Sequence, residues 1–319
     1  MKTTAKIVLA TLAIGAIGLF GGCGGGGGSS DSGGGSAAAL TANKVEITEA
    51  NAPQVIAEAI SGRDVDFGIL SASETPSISK NASAIEIVRF VRDLTKRASP
   101  TIAINSAIVP LATATESCEG GGTVTINGSE SDFTTTFKNC VEGGVKLNGT
   151  VRIVELGWSG YDGSVKAIEN VTMTDGSTSI YINASFELGE SSYKQKIANA
   201  NIYMKITEYS ETYEVALSNY NETYDETTYP DVLKYSGAVG YREGGYHFAA
   251  GVTGDLQGID GCYGYPESGY ETVAGSKDTK AKITYNELST PQVRVVLNDN
   301  ETNPIFEGTC SDFDSWLDY

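Results

Sequence analysis

Apolar and polar residues alternate along most of the later two-thirds of the chain. Ile180, Ile182, Ala184, Phe186 and Leu188 are interleaved with Tyr181, Asn183, Ser185 and Glu187. Ile202, Met204 and Ile206 alternate with Tyr203, Lys205 and Thr207, and the pattern recurs at Tyr213, Val215 and Leu217 and at Val293, Val295 and Leu297. A period of two buries one face of a strand and wets the other, as in antiparallel sheet. Parallel strands would need helical crossovers, and none is visible after Pro100. The expectation is a mainly β chain with antiparallel strands from about Thr101 onward.

Before Pro100 the period is helical. Val55, Ile56, Ala59 and Ile60 share one face of a segment that Asn51 is placed to cap, with Pro53 in its first turn and Gly62 at its end. In "SAIEIVRFVRDLTKR", Ile87, Val88, Val91 and Leu94 form a stripe suited to packing on a sheet. Two short helices cannot cover a sheet of about a dozen strands. The sheet therefore either curls round the helices as a half-barrel or doubles into a sandwich; the curled sheet is favoured. Residues 40–100 form the helical segment, and 101–319 the β domain packed with it as one unit.

A local repeat bears on the cysteines. "CEGGGTVTINGS" from Cys118 is echoed by "CVEGGVKLNGTV" from Cys140. Turn chemistry at Asn127-Gly128-Ser129-Glu130 predicts a hairpin running back to Thr123 and forward to Phe137. Its paired residues have numbers summing to about 257, which sets Cys118 and Cys140 nearly opposite at the open end. Of five cysteines, Cys118, Cys140, Cys262 and Cys310 form an even set that suggests two disulfides in an oxidising compartment. Neighbour pairing, 118–140 and 262–310, is favoured, and both look structural.

The fifth cysteine lies near the start. Lys2 and Lys6 precede an apolar run from Ile7 to Phe20, too short for the roughly 20 residues that cross a bilayer. Residues 1–22 read as a secretory signal. Leu19-Phe20-Gly21-Gly22-Cys23 resembles the lipobox of bacterial lipoproteins, which implies that Cys23 becomes an acylated first residue holding the protein at a membrane. Gly24 stands where an aspartate would resemble an inner-membrane retention signal, so the resemblance implies the outer membrane, at its periplasmic face or the cell surface. Residues 23–39 are the anchor cysteine and a glycine- and serine-rich tether.

Charge then narrows the partners. The chain carries 22 basic and 40 acidic side chains, and without Lys2 and Lys6 the balance is 20 against 40. Such a surface repels phosphate backbones, so nucleic acid is not expected as a partner. His247, the one histidine, alternates with Tyr246 and Phe248 on a polar strand face and has no positioned serine for a triad. Zinc would want clustered Cys or His. Asn298 to Asn303, "NDNETN", concentrates oxygen ligands but lacks the glycine and terminal glutamate of an EF-hand loop. It reads as a solvated turn, with a calcium ion the alternative; no other cofactor is expected. A glycosidase carboxylate pair is not marked by any spacing. The 17 tyrosines suit a wet face that stacks on sugars or proteins, and are also good strand residues.

Beyond the lipobox, "ANAPQVIAEAI", "FKNCVEGGVKLNGTV" and "YPESGYETVAGS" loosely resemble β-rich envelope lipoproteins of bacteria. The resemblance brings no catalytic residue. The function expected is a non-enzymatic, lipid-anchored envelope protein that binds or scaffolds an envelope protein or glycan. A carrier of an apolar ligand in a concave sheet and an envelope-polymer hydrolase are the alternatives.

Overall fold

The computed structural model describes residues 35–60 and 114–317, apart from 130, 143, 177, 210, 259, 260 and 262–264. The anchor at Cys23, the helix expected within 83–97 and Cys262 lie outside the described residues. Within them the chain is mainly β, as the alternation requires. Fourteen strands form one antiparallel sheet in which each strand pairs with its neighbours in sequence. Four strands open it: β1 (Ala114–Ser117), β2 (Thr123–Gly128), β3 (Asp132–Glu142) and β4 (Val145–Glu155). The longest follow: β5 (Gly163–Asp175), β6 (Thr178–Glu190), β7 (Lys194–Glu208), β8 (Glu211–Asp225), β9 (Val232–Glu243) and β10 (Tyr246–Gln257). The sheet then tapers through β11 (Ser268–Ala274), β12 (Lys280–Asn286), β13 (Val293–Leu297) and β14 (Phe306–Gly308). Since β1 and β14 do not pair, the sheet is not closed into a barrel.

The predicted apolar stripes share one face, here called the inner face. Ile182, Ala184, Phe186 and Leu188 of β6 are buried there beside Ile202, Met204 and Ile206 of β7 and Val215 and Leu217 of β8. A second apolar cluster covers β10–β13 and involves two of the helices.

Asparagines bend β3, β7 and β8. Asn139, Asn199 and Asn219 have φ of 50°, 53° and 49°, the left-handed region that asparagine tolerates better than most residues. Each sits where the register of its strand shifts. In β7 and β8 the two bulges lock each other: Asn199 N–H donates to Asn221 Oδ1 at 3.0 Å, and Asn219 N–H donates to Asn201 Oδ1 at 3.1 Å. The Nδ2 groups of Asn201 and Asn221 return bonds to the carbonyls of Asn199 and Asn219. Asn139 N–H is likewise held by Asn148 Oδ1 at 2.8 Å. Every extra residue of these bulges thus keeps its backbone donor satisfied while the strand bends.

The N-terminal segment grips the sheet from both sides. Helix α1 (Ala37–Thr41) packs Ala37 and Leu40 on Tyr203 and Ala216, which face outward. Its first residues were expected in the tether; instead Ser36 caps it, Oγ accepting from Ala39 N–H. The chain then passes between β10 and the β11–β12 turn, where Val45 N–H donates to Ala249 O and Val45 O accepts from Ser276 N–H. Helix α2 (Ala52–Ile60) lies over the inner face with Ala52, Val55 and Ile56 buried. The helix is the predicted one, but Asn51 does not cap it as expected. Its Oδ1 reaches back instead, accepting from Thr48 N–H at 2.7 Å and from the Thr48 hydroxyl at 3.0 Å. A third helix, α3 (Cys310–Leu317), was not predicted and adds Phe313 to the same cluster.

Cys118 and Cys140 are bonded, with Cα atoms 5.4 Å apart. The pairing is as expected; the register behind it is not. Val124 pairs with Phe137 and Gly128 with Phe133, numbers summing to 261, because Ser129 to Asp132 close a wider loop than the two-residue turn assumed. Cys118 lies in the β1–β2 turn, which folds onto the end of β3: Gly120 N–H donates to Val141 O, and Gly121 O accepts from Val141 N–H. Cys310 is also in a disulfide, its partner outside the described residues.

Candidate functional site

Among the described residues three glutamates are buried on the inner face: Glu169 of β5, Glu222 of β8 and Glu271 of β11, exposed by 1%, 4% and 0%. Strand alternation places each on the apolar side, where a carboxyl must find partners or stay protonated. They meet that demand differently.

Glu271 accepts from two phenols, Tyr235 at 2.7 Å and Tyr285 at 3.3 Å. Tyr235 and Glu271 are not on adjacent strands. Gly254 of β10 lies between them in the same row, and a Cβ there would stand 2.4 Å from the Tyr235 ring. The glycine lets the phenol lie flat across β10 and reach the carboxylate. Glu222 accepts from Tyr220, two residues away on its own strand, at 2.6 Å. Tyr220 in turn stacks on Tyr235, ring centres 6.5 Å apart. Burial, and then the neighbouring Glu222 charge, push the Tyr220 phenol well above its usual range. Tyr285, Glu271, Tyr235, Tyr220 and Glu222 therefore form one run, buried except at the half-buried Tyr235.

Glu169 stands apart from that run. Its Oε1 has no hydrogen-bond partner, and burial pushes its carboxyl well above the ordinary range. Thr135 of β3, fully buried, also has an Oγ1 without a partner. The two belong to one row of the inner face: Thr135 pairs with Val151, Val151 with Glu169, and Glu169 with Ala184.

Elsewhere several of the tyrosines are engaged with carboxylates, while Tyr193, Tyr209, Tyr229 and Tyr270 are exposed. Tyr203 donates to Glu214, Tyr224 to Asp231, Tyr241 to Glu243, Tyr246 to Glu58 and Tyr265 to Asp314. Sequence reasoning missed these pairs, although Tyr-x-Glu at 220–222 and 241–243 was a usable signal, since i and i+2 share a strand face.

His247 is on the polar strand face as expected, but α1 covers it, and its Nε2–H donates to the Leu40 carbonyl at 2.8 Å. In the Asn298–Asn303 loop the carboxylates meet protein cations. Asp299 pairs with Lys280 at 2.5 Å, and Glu301 with Arg294 at 3.0 Å and Lys282 at 3.5 Å. Among the described residues no group of three His, Cys, Asp or Glu side chains is placed to hold a metal ion. Among them, too, no helix is long and apolar enough to cross a membrane. No family model matches the chain, and neither a curated protein nor a solved structure matches it.

Proposed function

We propose that this chain is a lipid-anchored, non-enzymatic binding protein of the cell envelope, held at the outer membrane through acylated Cys23. The observation that carries the reading is how the glycine- and serine-rich run meets the fold. Ser36 caps α1 directly after it, and α1 is docked on the outer face of the sheet. A pull along the tether is thus borne by a packed helix rather than by a strand edge. Replacing Cys23→Ser should release the protein from membranes and abolish acyl-chain labelling. Unchanged membrane retention would overturn the anchoring.

A second reading is favoured by Glu169 and Thr135: a carrier whose inner face holds an apolar molecule. Buried polar atoms without partners are rare in native folds, and each needs an explanation such as a bound group. Native mass spectrometry of the gently purified protein should detect a co-purified apolar ligand; its absence above an interior filled by side chains would count against the carrier.

A further inference from the structure

We propose that Thr135 and Glu169 hold the hydrogen-bond-donating head of an apolar molecule, and that the class the site takes is a long-chain amine. The inference rests on the carrier reading and names the ligand chemistry. Both polar atoms are buried and unpartnered, and they flank Val151 in one row, two strand spacings or about 10 Å apart at the backbone. Among the described residues, the side chains beside them in the sheet on that face are apolar. Phe133 and Phe137 flank Thr135 along β3, and Ala167 and Val171 flank Glu169 along β5. Glu169 faces Ala184, and both it and Ala167 are too short to reach over the carboxyl.

The head-group preference follows from the atoms on offer. The site presents a carboxyl group and a hydroxyl, and neither Glu169 Oε1 nor Thr135 Oγ1 has a hydrogen-bond partner. An ammonium brings up to three N–H donors and a charge that a buried carboxylate otherwise lacks. A fatty-acid carboxylate or a phospholipid phosphate would bring a second anion beside Glu169 in place of a counter-charge, which a desolvated site rejects. The flanking aromatic and aliphatic side chains suit an alkyl body.

Dodecylamine, dodecanol and dodecanoic acid, each below its micellar concentration, would be titrated into the full chain by calorimetry. The expected result is saturable binding of dodecylamine and none of dodecanoic acid. Glu169→Gln should weaken the amine by about tenfold or more, the worth of a hydrogen bond to a charged group, and Thr135→Val by a smaller factor. Melting curves of both variants establish that they fold. If dodecanol binds as well as the amine and Glu169→Gln changes neither, the carrier stands and the head-group assignment fails. If no probe binds and Glu169→Gln only raises the melting temperature, Glu169 is a buried carboxyl without a ligand and both readings fail.

Discussion

Asn219 holds a backbone conformation that most residues avoid, and the strand around it depends on that. At φ of 49° an L side chain crowds the neighbouring carbonyl, and β-branching worsens it. Asn219→Val should therefore lower unfolding free energy by about 2 kcal/mol, while Asn219→Gly should cost less than about 1 kcal/mol. Denaturant melts of the two variants decide it: equal losses would mean the side chain, not the backbone, matters. The spacing Asn-x-Asn stands in the sequence at 199–201 and again at 219–221. That each pair would serve the other's bulge was not legible, because it depends on which strands lie side by side.

The elements show what a linear pattern misses. Strand faces were read correctly over residues 180–188, 202–207, 213–217 and 293–297 of β6, β7, β8 and β13, stretches that lie clear of the bulges. The β2–β3 register was misplaced because turn chemistry at Gly128 suits a tight turn as well as the wider loop that forms. Helix α1 is only five residues long, too short for a periodic stripe. Helix α3 did carry a signal: Thr309 and Asp312 form a reciprocal cap, Asp312 Oδ2 accepting from Thr309 N–H at 3.0 Å and Thr309 Oγ1 from Asp312 N–H at 3.2 Å. The disulfide at Cys118 and Cys140 closes the three-strand unit β1–β3. Converting both to alanine should destabilise by about 3 kcal/mol on loop-entropy grounds, read as a lower denaturation midpoint without reductant, where the disulfide at Cys310 stays intact. A midpoint equal to the parent's would show that the sheet alone holds β1 and β2.

At the scale of the whole molecule, part of the acidity and part of the tyrosine content serve one another. Among the described residues seven carboxylates accept from phenols, and the burial of those phenols sets an alkaline limit on stability. Tyr203, Tyr213, Tyr220, Tyr224, Tyr241 and Tyr246 are all raised above 10.0, burial being the largest cause in each. In each, the folded chain keeps a proton that the unfolded chain releases near pH 10. Their contribution is complete below about pH 10 and is lost as pH rises towards the folded values. Denaturant melts from about pH 8 to about pH 11 should show stability falling steeply, and Tyr241→Phe should remove close to one proton from that slope. An unchanged slope in the variant would remove Tyr241 from the account.

Composition and alternation alone determined the class of the fold: antiparallel strands, one apolar face, and a sheet larger than its helices could cover. Those properties are local, since a side chain's face follows from its position within a strand. Tertiary structure alone decided what lies over each face. Tyr203 and His247 occupy polar-face positions yet are covered by α1, and Glu169, Glu222 and Glu271 are acidic residues that the pleat turns inward. Alternation tells which side chains share a surface. Which surface is buried, and whether Glu271 finds a phenol while Glu169 finds none, depends on contacts between strands distant in sequence.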